Sequence, residues 1–327
     1  MRNRFPKHRH QLPQLDGRLF LSDGGLETTL IFHEGWELPM FAAFPLLESD
    51  RGIAALRDYF DRYISMATRG ETGFILEAPT WRANPDWGAK LGYDIERLAE
   101  VNRLAVALLQ DIAAANESEQ TPMVVSGCIG PRGDGYDPGS VTRAEDANAY
   151  HAWQIGIFKD AGVDLVSAYT LTNINEAVGV AAAAKAADMP CALSFTLETD
   201  GKLPTGETLQ EAITVVDMET GAAPAYYMIN CAHPTHFSET LQDGADWMPR
   251  IRGLRANSSE RSHAELDNAP DLDIGNPEEL GAQYAALRRR FPHLTILGGC
   301  CGTDHRHLHA IAEACGTVSS KKAHAAA

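Results

Sequence analysis

The chain has 327 residues, 44% hydrophobic and 22% charged, a balance that supplies a sizeable core and argues against general disorder. Its formal net charge of −16 repels phosphate backbones and anionic headgroups, so neither nucleic acid nor a membrane surface is an expected partner. Six cysteines in this length are too sparse for a disulfide scaffold.

The start, Met1 to Gln14, is basic and histidine-rich, with no apolar stretch behind it that would make a secretory signal, and reads as a loose arm. From there β-like runs alternate with helical patterns along nearly the whole length, the signature of a parallel sheet with crossover helices. Strands are expected at 18–22, 73–79, 123–128, 164–169, 191–197, 225–231, 253–257 and 294–298. The intervening segments carry helical spacing, as in Ile53, Leu56, Phe60, Ile64 and Ala67, or Leu98, Val101, Ala105 and Leu108. Eight such units fit an α/β chain folded as a single (β/α)8 TIM barrel better than an open sheet. No sequence repeat or proline-rich linker divides it, so one barrel domain over 16–316 is expected, with 1–15 and 317–327 as flexible tails. Leu30 to Asp50 and the polar stretch Ala256 to Pro277 are long connections after strands one and seven, placed to wall or cover a site. The most apolar later run, around Val178 to Ala187, is short and broken by Lys185, too weak for a membrane span; a cytoplasmic protein is expected.

Chemistry concentrates where strands end. The last strand runs into Gly298-Gly-Cys-Cys-Gly-Thr303, where glycines permit close backbone approach and two adjacent thiols stand at the tip. Neighbouring cysteines bridge each other poorly but can bind one metal together. Cys231 ends the sixth strand on the same rim. Cys231, Cys300 and Cys301 are therefore either the three protein ligands of a catalytic zinc with one open position, or three unrelated core cysteines; spacing alone leaves both readings open. Cys128 reads as core, and Cys191 and Cys315 as core or surface filler. Trp36, Trp81, Trp87 and Tyr136 fall in or beside rim loops, where aromatic faces can hold a methylated cation or simply pack. His233 and His236 read as helix-start or supporting residues, and His305, His307 and His309 as the solvated face of the last helix.

The Gly298 to Thr303 run with its following helix resembles the homocysteine S-methyltransferase family. Asp23-Gly24-Gly25, Thr80-Trp81-Arg82-Ala83, Ile129-Gly130-Pro131, Ser194-Phe195-Thr196, Asn230-Cys231 and Asn257 agree with it in the family's order, and the resemblance spans roughly residues 16 to 316. It implies a zinc-dependent barrel enzyme moving a methyl group from a small cationic donor to the thiol of homocysteine, forming methionine. Cys231, Cys300 and Cys301 would hold Zn2+, and no catalytic residue is needed beyond that site. Relatives use betaine, S-methylmethionine, S-adenosylmethionine or a cobalamin-bound methyl, and the short motifs do not choose among them. Strand four in relatives usually ends in a Glu that recognises the amino acid, whereas this chain has Tyr169 there, so another carboxylate must meet the ammonium. Asp23, Glu27, Glu77 and Glu198 stand at suitable rim positions, and Thr80, Tyr169 and Asn230 complete the expected substrate-binding set. Two readings of other kinds compete: an aldolase- or isomerase-type barrel with a phosphate at Gly298-Gly299, and a non-enzymatic zinc- or redox-sensing thiol protein.

Overall fold

Short β-branched and aromatic runs bounded by polar turns make strands, and here every one of them is buried on both faces, as a sheet wrapped in helices requires. In the computed structural model, which describes residues 6–267, 269 and 271–317, eight parallel strands close in chain order into a barrel. They are β1 (Phe20–Leu21), β2 (Gly73–Glu77), β3 (Met123–Ile129), β4 (Leu165–Leu171), β5 (Cys191–Phe195), β6 (Tyr226–Asn230), β7 (Ile251–Ala256) and β8 (Ile296–Gly299). Closure rests on β1, whose Phe20 and Leu21 pair with Gly73 and Phe74 on one side and with Ile296 and Leu297 on the other. All eight expected strands are present, with ends shifted by a few residues.

Short helical turns aside, the helix that leads from each strand to the next is α1 (Asp50–Gly70), α2 (Ile95–Asn116), α3 (Ala144–Ala161), α4 (Ile174–Ala186), α5 (Leu209–Thr220), α6 (Pro234–Phe237) and α7 (Pro277–Arg290), with α8 (His305–Ala314) after the last strand. Their limits follow from local chemistry. The Ser49 side chain accepts from Gly52 N to start α1, which ends at Glu71 in the left-handed region, φ 52°. The inner face of α1 buries Leu56, Phe60, Ile64 and Ala67, the spacing read from sequence. α8 starts at the Asp304 cap, and its His307 corrects the expected solvated face: it is fully buried, closing the capping box and bonding Ile274 O at 2.7 Å. Its neighbours His305 and His309 are exposed.

The described part of the amino-terminal arm is not loose. His8 N donates to Asp164 Oδ1 (2.7 Å), Arg9 Nε to Val163 O (3.0 Å), and Lys7 Nζ lies 2.8 Å from Glu117. Asp164 stands just before β4 and also accepts from Val125 N, so the arm is fastened across the amino-terminal end of the barrel. Gln14 is fully buried there, between Tyr226 and Thr295. Residues 1–5 and 318–327 lie outside the described residues. No described helix is long and apolar enough to cross a membrane.

Candidate metal centre

At the opposite end of the barrel β6 delivers Cys231 and β8 delivers Cys300 and Cys301, and the three sulfurs lie within 4.8 Å of one another. Three thiolates on a tetrahedral zinc, at ~2.3 Å each, stand about 3.8 Å apart, so the cluster offers that ion's donor set once the closest pair of sulfurs separates. Cys231 and Cys300, with Cα atoms 5.4 Å apart, are joined as a disulfide in the structure, and Cys301 is unbridged. Metal ligation needs thiolates, so the reduced form is the one that would take an ion.

Local backbone chemistry fixes these sulfurs. A Cβ at Gly298 would collide with Ser22 and one at Gly299 with Thr303, so glycine is required there for close approach, not for positive φ. Cys231 and Thr170, at the ends of β6 and within β4, are both left-handed, with φ 52° and 62°. Strain of this kind costs on the order of 1–3 kcal/mol per residue and persists only where neighbours hold it. Asn230 does so: its Oδ1 accepts from Thr170 N and its Nδ2 donates to Thr170 Oγ1, each at 2.9 Å. The Cys231 carbonyl accepts from His263 Nε2 (2.6 Å) and Thr196 Oγ1 (3.4 Å). His263 comes from the insertion after β7 and stacks on Tyr136 of the loop after β3, ring centroids 4.0 Å apart, while Tyr136 Oη lies 3.3 Å from Cys301 Sγ. Two loops thus meet over the sulfurs.

These sulfurs line a cavity of about 960 Å3. Asp23, Glu27, Glu77, Tyr169 and Asn230 from the expected set also line it, and Thr80 does not. Thr80 is fully buried, its hydroxyl donating to Cys128 O at 2.7 Å. Glu198 also stays out, next to His263 Nδ1 at 3.2 Å. Asp23 is committed: Oδ1 accepts from Arg255 Nη1 (2.7 Å) and Oδ2 from Tyr59 Oη (3.1 Å). Glu77 accepts from Tyr169 Oη through Oε1 (2.7 Å), while Oε2 has no hydrogen-bond partner. Burial raises the Glu77 pKa. Glu27 bonds no other side chain among the described residues, and burial pushes its carboxyl up to about 7.

Arg255 was not singled out from sequence. Burial works against its charge, but Asp23, Tyr169 and Glu77 around it raise its pKa. The signal was an arginine inside the apolar strand Gly253-Leu-Arg-Ala256, pointing to a charge within the barrel. Cys128, read as core, is buried and also borders the cavity, with burial raising its thiol pKa. The rim indoles, read from sequence as holding a methylated cation or simply packing, carry the protein's own cations: Arg51 over Trp36 at 4.3 Å, and Arg82 between Trp81 (4.1 Å) and Trp87 (3.6 Å). His233 caps α6 through Thr235 and joins no metal-ligand cluster among the described residues.

The family model for homocysteine S-methyltransferase matches residues 20–315. Among solved structures, the metallated form of the homocysteine methyltransferase MmuM from Escherichia coli is similar to this chain at 20% identity and TM-score 0.69, over 90% of this chain and 95% of that one. Its oxidised form is similar at 21% identity and TM-score 0.68, over 90% and 94%. At these identities the structures speak for the shared barrel. The family match spans nearly the whole chain, including both strand ends that carry the thiols, and the chain belongs to the homocysteine S-methyltransferase family.

Proposed function

We propose that this family member transfers a methyl group from a small sulfonium or ammonium donor to the thiol of homocysteine, forming methionine, with zinc held by Cys231, Cys300 and Cys301. The convergence of three sulfurs within 4.8 Å, from two strands 69 positions apart, carries this reading. The metallated state of the similar Escherichia coli enzyme supports it. Bound zinc would supply the positive charge that keeps a coordinating thiol ionised at neutral pH.

The chain's own residues supply position. Asn230 holds the Cys231 turn, and the cavity orients acceptor and donor for in-line attack. The acceptor sulfur's electron pair forms the new S–CH3 bond while the donor's bond to that carbon breaks; the donor leaves neutral, so no general acid is required. With Asp23 paired to Arg255, the acceptor ammonium falls to Glu77, whose Tyr169 contact fixes one oxygen and leaves the other open, and to Glu27. A cytoplasmic setting suits a site that must stay reduced.

The test is to reduce the protein, load it with zinc, and incubate it with homocysteine and each donor in turn, following methionine by mass spectrometry. Methionine that depends on zinc and on all three cysteines is expected. Methyl transfer that survives zinc removal would overturn the metal's role.

A further inference from the structure

Glu198 stands at the rim, as its sequence position suggests, yet the cavity leaves it out. Its carboxylate lies 3.2 Å from His263 Nδ1, and the other ring nitrogen, Nε2, lies 2.6 Å from the Cys231 carbonyl oxygen. A carboxylate and a carbonyl can only accept, so the ring donates from both nitrogens. His263 is buried, so water offers neither partner a substitute. Tyr136 covers the face of the same ring.

Each member of this chain of contacts is held by its own loop. Glu198 N donates to Lys202 O (2.8 Å) and Gly201 N to Glu198 O (2.9 Å), a tight turn just after β5. His263 opens the short helix His263–Asp267 in the insertion after β7. Within that insertion Arg261 N donates to Ser259 Oγ (3.1 Å), and Ser259 Oγ donates to Asp273 Oδ2 (2.7 Å), which draws its two ends together. The insertion also sends Ser258 N to the Cys301 carbonyl at 3.1 Å, so it grips the backbone of both thiol-bearing segments. Cys231 needs such a grip. It is left-handed without being glycine, φ 52°, and its N–H reaches Arg255 O at 3.2 Å. Thr196 Oγ1 meets the Cys231 carbonyl at 3.4 Å, so His263 makes the shorter of the two contacts there.

We propose that Glu198 and His263 are a positioning pair for Cys231: the carboxylate orients the ring, and the ring holds the Cys231 carbonyl so that the sulfur is aimed at Cys300 and Cys301. This rests on the metal reading above and not on the choice of methyl donor. Neither residue meets substrate in this role, since both act through the Cys231 peptide. Packing alone would not call for this arrangement. Any flat side chain could lie against Tyr136, whereas joining a carboxylate on one edge to a carbonyl on the other takes a group with a donor on each edge. Partners that orient a metal ligand without touching the ion change metal affinity by about ten- to a hundredfold when they are removed.

The experiment titrates the reduced full chain with Co2+, whose thiolate charge-transfer and d–d bands report the geometry of the ligand set. Glu198→Ala and His263→Ala are each expected to lose cobalt affinity on the order of tenfold and to shift the d–d bands. His263→Gln, whose side-chain nitrogen falls near the place of Nε2, should recover most of the affinity; His263→Asn, whose nitrogen falls near Nδ1, should not. A second measurement needs no metal. Against glutathione disulfide, which takes two electrons and two protons as Cys231 and Cys300 join, the equilibrium should shift toward the free thiols in both Ala variants. His263 is buried, so melting checks that its variants fold; Glu198 is half-buried, and Glu198→Ala stands alone if they do not. Wild-type affinity and bands in the folded Ala variants, or equal recovery by Asn and Gln, would overturn the pair. A wild-type chain that takes no cobalt would overturn the metal reading instead. The glutathione equilibrium then decides the positioning by itself, and wild-type values in both Ala variants would overturn that as well.

Discussion

Replacing Cys231, Cys300 or Cys301 by Ala removes one of three sulfurs that stand within 4.8 Å of one another, and each variant is expected to lose most of its zinc under chelator challenge. Metal analysis checks this, and wild-type occupancy in all three would remove the site. A second expectation concerns the acid with an open oxygen. Glu77→Gln keeps the Tyr169 contact but discards the charge, so kcat/KM for homocysteine should fall relative to its deamino analogue by about 1–3 kcal/mol, the cost of losing a charged partner, with zinc content unchanged. Tyr169→Glu, which installs the residue usual in relatives, sets a second acid against Glu77 and should change the same ratio; an unchanged ratio in both variants would free the ammonium from this wall. Glu27 gives a pH signature. Its carboxyl is raised from 4.5 to about 7 in the folded chain, so the fold binds the extra proton between those values. Stability from this group is present below about 4.5 and is lost as pH rises through about 7. Glu27→Gln should flatten that part of a melting-temperature profile between pH 4.5 and 7.5, and an unaltered slope would place the carboxyl in a wetter setting.

The strands and the thiols were legible in the sequence because each is a local pattern: an apolar run, its glycine punctuation, and a cysteine at its end. What joins elements was not. Asn230 read as a family motif, yet its two hydrogen bonds bind the end of β6 to a left-handed residue in β4, sixty positions away in sequence. Asn230→Ala should lower stability by roughly 2 kcal/mol in denaturant unfolding and weaken zinc retention, although Asn230 is no ligand. If stability falls and zinc affinity does not, the turn at Cys231 holds itself. The Tyr136 and His263 stack was equally illegible, since it joins two long loops whose meeting depends on barrel closure rather than on either loop's composition. The indoles were open to two readings from sequence, a place for a foreign cation or plain packing, and only the fold reveals that Arg51 and Arg82 lie over them.

Across the whole molecule, structural and chemical tasks lie at opposite ends of the barrel. The amino-terminal arm fastens to Asp164, Val163 and Glu117 beneath the strands, while the sulfurs, Glu77 and Arg82 line the cavity above. A chain beginning at residue 12 should therefore melt lower, by roughly 2–4 °C for each kcal/mol of lost contact, yet keep its zinc and its kcat/KM below the transition. Loss of activity in the folded, shortened chain would show that the two ends are coupled. The closure of the barrel also sets a timetable. β1, made first, has one of its two neighbours only when β8 is made, and two of the three sulfurs follow β8 immediately. On a ribosome the nascent chain emerges with Cys231 alone at an open-edged sheet, a lone thiol that grips metal poorly. On the metal reading proposed above, capture of an ion would wait until the cylinder can seal, since a chain ending before residue 300 carries neither the β1–β8 seam nor two of the three sulfurs.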